Sequence, residues 1–295
     1  MTRRIIKVMG GLALVLAVVC AARPAAAEVP NDIRSPEQRS LRHSAYALPE
    51  NMWSFDASVF GVTGEDVYGS LGVKYGFGAG FELDMNVAHV AVGLFNVGGH
   101  WNFLDTKHIA LSAAVGFTYG HGAWIWIVGP LAKRLLQDTD LITVPFELTA
   151  TSLVLPWLQL DLSVGARYAT IWGTLGDGGS FYANAEIGAN QLWIRPGVRA
   201  YVSDATALEL FVDLPVYTSV PYEGELTLEL RNRGWERSGS DRATVPLGDT
   251  WKFEAGLRSR FTPWMFGAVR LNYGRTNKLL YLTTVNPSVS LEFRM

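Results

Sequence analysis

The amino-acid sequence predicts an all-β protein, namely a transmembrane, antiparallel, up-and-down β-barrel of about 12 strands, within a range of about 10–14. Three observations support this prediction. The chain begins with an export signal, apolar and polar residues alternate along most of the remainder, and short connections alternate with long ones. In such a barrel the apolar side of each strand faces lipid and the polar side faces the interior.

Residues 1–27 have the features of a secretory signal peptide. Three basic residues open the segment, an apolar run covers residues 9–19, and alanines at 25–27 predict cleavage before Glu28. The only cysteine, Cys20, allows a lipoprotein signal as an alternative, which the bulky residue before it disfavours. If Cys20 leaves with the signal, the mature chain has no cysteine and no disulfide framework.

The mature chain is predicted to have a short leader before its barrel. Residues 28–51 are polar, contain three prolines and show no period, which indicates a flexible periplasmic lead-in. Residues 52–295 form the predicted barrel. The mature chain has 25 − 4 = 21 basic against 27 acidic residues, a net charge of −6, which disfavours a nucleic-acid partner. No mature segment reaches the roughly 18 consecutive apolar residues of a transmembrane helix.

Apolar and polar residues alternate in about twelve segments after residue 52. In one of them Phe81, Leu83 and Met85 lie on one side of an extended chain, and Glu82 and Asp84 lie on the other. No charged residue falls on the apolar side, where it would cost about 2–4 kcal/mol against lipid. A soluble, exported β-sandwich remains the alternative. The segments are 53–59, 67–75, 81–87, 97–103, 109–118, 142–149, 158–167, 194–201, 208–214, 251–258, 265–272 and 287–295.

The connections between these segments follow the parity of an outer-membrane-type barrel, which has short periplasmic turns and long external loops. This parity requires that residues 182–202 form one strand with an irregular start, because two strands would move a long loop to the wrong side. The predicted periplasmic turns are 78–80, 104–107, 151–156, 203–206 and 262–263. The long external loops are 120–140, 171–181 and 217–249.

The last nine residues, 287–295, alternate without interruption: Val289, Leu291 and Phe293 are apolar, and the residues between them are polar. With the export signal, this tail resembles the closing strand of Gram-negative outer-membrane β-barrels, although it ends on Met295 rather than on an aromatic residue. The resemblance covers residues 52–295 and is to a porin-like class, without a specific family. It implies an outer-membrane location, contact with outer-membrane lipid and lipopolysaccharide, and insertion by the barrel-assembly machinery.

Charged residues on the polar sides are the predicted lumen lining. Early strands supply mostly acids and later strands mostly bases, an arrangement that resembles the transverse field at the constriction of general porins. A salt-bridge network that packs the interior is the alternative, because Glu209, Asp213 and Glu254 lie among the bases. The predicted lumen-lining residues are Lys74, Glu82, Asp84, Glu147, Asp161, Arg167, Arg195, Arg199, Glu209, Asp213, Lys252, Glu254, Arg258 and Arg270.

The long connection 120–140 is unusually apolar at Trp124 and Trp126, and a short helix that carries Lys133 and Arg134 is predicted after them. One interpretation is a constriction loop folded into the lumen. The other is an extended strand whose tryptophans bind the outer leaflet while the helix covers the rim.

The predicted function is a narrow, porin-like channel or transporter for small polar solutes or ions. A non-conducting structural or surface-binding barrel is the first alternative; the arginines of its 217–249 loop would contact lipopolysaccharide phosphates or an acidic ligand. These arginines are Arg231, Arg233, Arg237 and Arg242. A lipid-modifying enzyme is less favoured, because no histidine is followed by serine two positions later. No catalytic residue, cofactor or metal site is predicted.

Overall fold

Antiparallel β-strands make up almost all of the described structure. The computed structural model describes residues 45–61, 67–91, 93–106, 108–121, 138–176, 181–203, 205–230, 233–245, 251–262, 264–275 and 283–295. The strands are β1 (Trp53–Gly61), β2 (Val67–Gly78), β3 (Phe81–Asn86), β4 (Leu94–Asp105), β5 (Ile109–His121), β6 (Asp138–Leu155), β7 (Leu158–Gly176), β8 (Phe181–Ser203), β9 (Thr206–Leu230), β10 (Arg233–Val245), β11 (Trp251–Thr262), β12 (Met265–Arg275) and β13 (Thr283–Arg294). A short helix, α1 (Val87–Ala91), follows β3.

Twelve of these strands close into a ring. Each strand from β1 to β8 pairs with the next, β9 pairs with β11, β11 with β12, β12 with β13, and β13 with β1. The strand β10 stands outside the ring, because it pairs only with the part of β9 from residue 218 onward, whereas β11 pairs with residues 206–213 of β9. The predicted all-β, antiparallel barrel of about 12 strands is therefore confirmed.

The two ends of the barrel differ in their connections. At one end, called the short-turn end, five connections have only two or three residues each, and β1 begins where β13 ends. Trp53 N donates to the Met295 carbonyl at 2.8 Å there. The first of these turns carries the positive φ angles of Gly78, Ala79 and Gly80, which a tight reversal requires. The opposite end is called the long-loop end, because the longer connections lie there.

Several connections differ from the sequence prediction because the strands continue further. The turn predicted at 151–156 is a two-residue reversal after Leu155, since β6 stays paired up to that point. Residues 182–202 belong to one strand, β8, which is regularly paired rather than irregular at its start. The first residues of the predicted external loop 171–181 belong to strand β7. The predicted loop 217–249 contains the outer part of β9 and all of β10, which pair with each other.

The distribution of apolar and polar side chains is the reverse of that in a soluble protein. Large apolar residues on the outer face are widely exposed, such as Val115 at 54% and Val269 at 57%. Polar residues of the inner face are buried, including Gln159 at 0% and Glu209 at 3%. An outer surface of this composition is stable against lipid rather than against water. None of the helices in the described ranges is long and apolar enough to span a membrane.

Residues 45–51, here called the N-terminal strap, differ from the flexible lead-in predicted over residues 28–51; residues 28–44 lie outside the described ranges. Within the strap, Ala45, Tyr46 and Leu48 are buried. The Leu48 N–H donates to Glu82 Oε2 at 2.8 Å, so the strap enters the barrel interior. The N-terminal strap shows no periodicity in its sequence, but its apolar side chains are buried in the barrel interior.

Candidate functional site

Charged side chains from six neighbouring strands meet on the inward face of the barrel. They occupy alternate positions, so the residues between them face outward. This group is called the charged wall. It consists of Asp161 on β7, Arg195 and Arg199 on β8, Glu209 and Asp213 on β9, Lys252, Glu254 and Arg258 on β11, Arg270 on β12, and Glu292 and Arg294 on β13.

Arg199 lies between two acids on the adjacent strands. Its Nη1 is 3.3 Å from Asp161 Oδ2, and its Nε donates to Glu209 Oε1 at 2.9 Å. All three side chains are almost completely buried. Thr151 Oγ1 also donates to Asp161 at 2.6 Å, and Gln159 Nε2 donates to the same carboxylate at 2.9 Å. Because opposite charges lie side by side, three charged groups can remain buried inside the barrel.

The ion pairs extend from Glu209 towards the long-loop end. Arg270 Nε donates to Glu209 Oε2 at 3.1 Å and lies 3.4 Å from Glu254 Oε1. Glu254 also accepts from Arg195 at 3.2 Å. Arg195 in turn lies 3.1 Å from Asp213, a carboxylate that Lys252 approaches at 3.9 Å. Acids and bases therefore alternate along this wall.

A second part of the charged wall is built on the tail of the chain. Glu292 pairs with Arg258 and, at 2.7 Å, with Arg294 Nε. Its Oε1 also accepts from Ser54 Oγ at 2.9 Å, across the β1–β13 seam. The Arg294 guanidinium lies 4.8 Å from the ring centroid of Phe266, which places a cation over an aromatic face.

A smaller group on the early strands is centred on Glu82. Lys74 Nζ lies 3.5 Å and His100 Nδ1 3.6 Å from the Glu82 carboxylate, which also accepts the backbone N–H of Leu48. Asp84 is on the same face of β3, opposite Gly98. Acidic side chains make up a larger share of the charged groups on this side of the lumen than in the charged wall.

The structure brings most of the predicted lumen residues into these two groups, and the interleaved pairs have the form of a salt-bridge network. Glu147 accepts from Thr149 at 2.8 Å outside that network, and Arg167 is exposed. The predicted constriction-loop residues Trp124, Trp126, Lys133 and Arg134 lie outside the described residues. Within the described ranges, no three His, Cys, Asp or Glu side chains are grouped to hold a metal ion.

Several lumen residues were missing from the sequence prediction. Glu292 and Arg294 stand on the polar side of the tail, so their alternation with Leu291 and Phe293 was the signal that could have identified them. Phe266 follows the same alternation, because it stands four positions before the inward Arg270. It is 1% exposed.

Large side chains from neighbouring strands occupy much of the space beside the inward glycines. A Cβ atom on Gly165 would overlap the indole of Trp193, and one on Gly197 would overlap the ring of Phe211. The Phe211 ring is in turn covered by Arg195 and Arg199, at 4.7 and 5.1 Å from its centroid. The glycines therefore accommodate large side chains from adjacent strands.

An apolar cluster fills the short-turn end of the lumen, and it is called the inner seal. The strap residues Ala45 and Tyr46 pack with Ala110, and Leu153 contacts both this group and a second one. The second group is Tyr201, Ala207 and Phe266. Between the strap and the charges behind it, a cavity of about 10 Å³ remains, roughly the space of one water molecule.

A larger cavity lies along the wall formed by β1 and β11–β13. Its volume is about 310 Å³. It is called the serine cavity and is lined by Asp56, Ser58, Lys252, Arg270, Asn272, Ser288 and Ser290. The lumen thus combines a filled inner end with an open polar space beside the charged wall.

No family model matches this chain, and no curated protein sequence matches it. Among solved structures, the chain is similar to the Pseudomonas putida toluene transporter TodX, with 9% identity, coverage of 92% of this chain and 93% of TodX, and a TM-score of 0.41. It is similar to the Acinetobacter baumannii outer membrane protein Omp33, with 11% identity, coverage of 83% and 99%, and a TM-score of 0.35. It is also similar to the Escherichia coli outer membrane protease OmpT, with 12% identity, coverage of 84% and 97%, and a TM-score of 0.37.

Proposed function

We propose that this protein is a narrow channel for small polar solutes or ions in the outer membrane of a Gram-negative bacterium, with a transport role rather than a catalytic one. The observation that carries the proposal is a closed ring of strands with an apolar exterior and a charged interior. Charged groups inside a barrel replace part of the hydration shell of a passing solute and set its charge preference. A barrel that served only as a membrane anchor would not require such a lining.

The proposed route runs from the long-loop end, past the serine cavity and the charged wall, to the inner seal. A ring of twelve strands lies between the eight-stranded barrels that side chains fill and the sixteen-stranded barrels that hold a wide channel. The inner seal narrows the route further, because Tyr46 and Leu48 occupy the inner end of the lumen. Passage therefore requires that the N-terminal strap leave its site.

The proposed location rests on three features of the chain. The predicted signal peptide directs export, the apolar outer face suits a bilayer, and the tail forms the strand β13 that closes the ring against β1. Outer-membrane lipid and lipopolysaccharide would contact that face, and the barrel-assembly machinery would insert the chain.

The proposal predicts selective permeability of lipid vesicles that contain the refolded mature protein, residues 28–295. In a swelling assay, solutes the size of glycerol or an amino acid should enter several-fold faster than they enter protein-free vesicles. A trisaccharide should enter no faster than in the control, because the space beside the charged wall is only about 310 Å³. Vesicles with the heat-unfolded chain are the matched control. The proposal would be contradicted if each solute entered vesicles with the folded protein no faster than it enters the protein-free and heat-unfolded controls.

A second candidate function is favoured by the length of β9. At about 3.3 Å per residue, its 25 residues extend roughly 80 Å, well beyond the approximately 30 Å of a bilayer core. Its outer half pairs with both β8 and β10, so a three-stranded ribbon projects from the long-loop end. Such a ribbon could bind lipopolysaccharide or another surface partner through arginines of β10. A purely surface-binding barrel would leave the vesicles in the swelling assay as tight as protein-free vesicles.

A further inference from the structure

The serine cavity has a chemical pattern that points to a ligand class. Its floor consists of short hydroxyl side chains on neighbouring strands, because Ser58 on β1 pairs in register with Ser290 on β13. Ser288, two positions earlier on β13, pairs with Arg270 on β12. Short side chains at these positions leave the space open, and their hydroxyl groups can each donate and accept a hydrogen bond.

One side of the serine cavity is basic. The two glutamates that pair with Arg270 approach it closest at Nε, at 3.1 and 3.4 Å. A guanidinium carries five N–H donors, so Arg270, which lines the cavity, has donors besides the Nε that these glutamates approach. Lys252 lines the same side, and its side chain is 46% exposed. Together they present two cationic groups to the cavity, and cationic donors form the stronger hydrogen bonds to a carboxylate.

The other side of the cavity is acidic. Asp56 lies on β1, opposite Glu292 in the strand register. Within the described residues, no base lies within 4.0 Å of the Asp56 carboxylate, although Lys74, Arg258 and Arg270 act on it over longer distances. Glu209, Glu254 and Glu292, in contrast, each pair with at least two bases. Asp56 is therefore a carboxylate that a cationic group of a ligand would complete.

We propose that the serine cavity binds a small zwitterion that carries a carboxylate and an ammonium group, such as an amino acid. The carboxylate lies towards Arg270 and Lys252, the ammonium lies towards Asp56, and the serine hydroxyls contact the polar atoms between them. A volume of about 310 Å³ is at the small end of ligand pockets and suits a molecule of this size. The inference rests on the proposed channel, for which it names the solute class.

The test is equilibrium binding to the full mature chain in lipid nanodiscs, with three probes of nearly equal size. L-serine carries both charged groups, glycerate lacks the ammonium, and serinol lacks the carboxylate. Calorimetric titration should show that L-serine binds at least about 10-fold more tightly than either analogue, because each analogue loses one charge-assisted contact.

Two variants separate the two ends of the site. Asp56→Asn should weaken L-serine binding about 10- to 100-fold and leave glycerate binding unchanged or tighter. Lys252→Gln, at a side chain that is 46% exposed, should weaken the binding of L-serine and glycerate alike and leave serinol binding unaffected. The matched control is Asp84→Asn, which makes the same change at a carboxylate that does not line the cavity. It should alter none of the affinities.

Glycerate binding as tight as that of L-serine would overturn the inference, and so would an Asp56→Asn variant with unchanged L-serine affinity. Absence of saturable L-serine binding to the folded barrel would also overturn it. The binding measurement does not require that a solute cross the membrane, so its result is independent of conduction. A barrel that conducts ions but binds no L-serine would refute the site alone, whereas one that binds L-serine but never conducts would refute the channel alone.

Discussion

Replacing Glu209 with glutamine is expected to lower the free energy of unfolding by about 3–5 kcal/mol, the usual cost of removing one partner of a buried ion pair. Glu209 is 3% exposed and bonds to both Arg199 and Arg270. Glutamine keeps the shape of the side chain but removes its charge, so two guanidinium groups lose a counter-charge inside the barrel. Urea titration of the vesicle-inserted protein, followed by tryptophan fluorescence, measures the effect.

The matched control for this change is Glu223→Gln, which makes the same substitution at an exposed position of the same strand. Its effect should stay within about 0.5 kcal/mol, as is usual for surface positions. If Glu209→Gln lowered the free energy of unfolding by less than about 1 kcal/mol, water would already screen the charges of the charged wall.

Locking the N-terminal strap to the barrel is expected to abolish conduction through an otherwise folded protein. Asn102 Nδ2 donates to the Ala45 main-chain carbonyl at 2.6 Å, so the two residues are neighbours, and the paired substitutions Ala45→Cys and Asn102→Cys are chosen to join them by a disulfide. The only cysteine of the chain is in the predicted signal peptide, so no other thiol competes. A bound strap keeps Tyr46 in the inner seal and thereby keeps the lumen closed.

The strap experiment contains its own control, because a reducing agent should restore the conductance in the same bilayer. Asn102→Cys alone should conduct in both redox states. If the oxidised double variant carried the same current as the reduced one, the strap would not lie in the path of the ions.

The barrel could be predicted from the sequence because its determinants are local. Alternation along a strand depends only on residues two positions apart, so the inward and outward faces follow directly from the sequence. The parity of the connections, rather than alternation, predicted 182–202 as a single strand, β8, although with an irregular start that the structure does not have. The length of β9 was not predicted, although Leu226, Leu228 and Leu230 alternate with polar residues in its outer half. Residues 217–249 were assigned to one long loop, and the pairing of that half with β8 and β10 joins separate segments of the chain.

The details of the lumen depend on contacts between distant parts of the chain, which alternation does not specify. Arg258 meets Glu292, which is 34 positions away, only because β11 and β13 flank β12 in the closed ring. The same applies to the strap. Tyr46 and Leu48 belong to a short apolar run, residues 45–49, which is too short to show a period. Their burial becomes evident only when the closed barrel offers a site for them.

The most direct test of the proposed channel is single-channel recording in planar bilayers, with the mature chain (residues 28–295) beside a chain that begins at residue 52. We predict discrete conductance steps for both, with a larger share of open time for the shorter chain, because it lacks the N-terminal strap. A salt gradient should show a charge preference that reverses or weakens in an Arg258→Ala, Arg270→Ala double variant. Permanent silence from the shorter chain, in a barrel whose folding is verified by heat-modifiable migration on gels, would contradict the account.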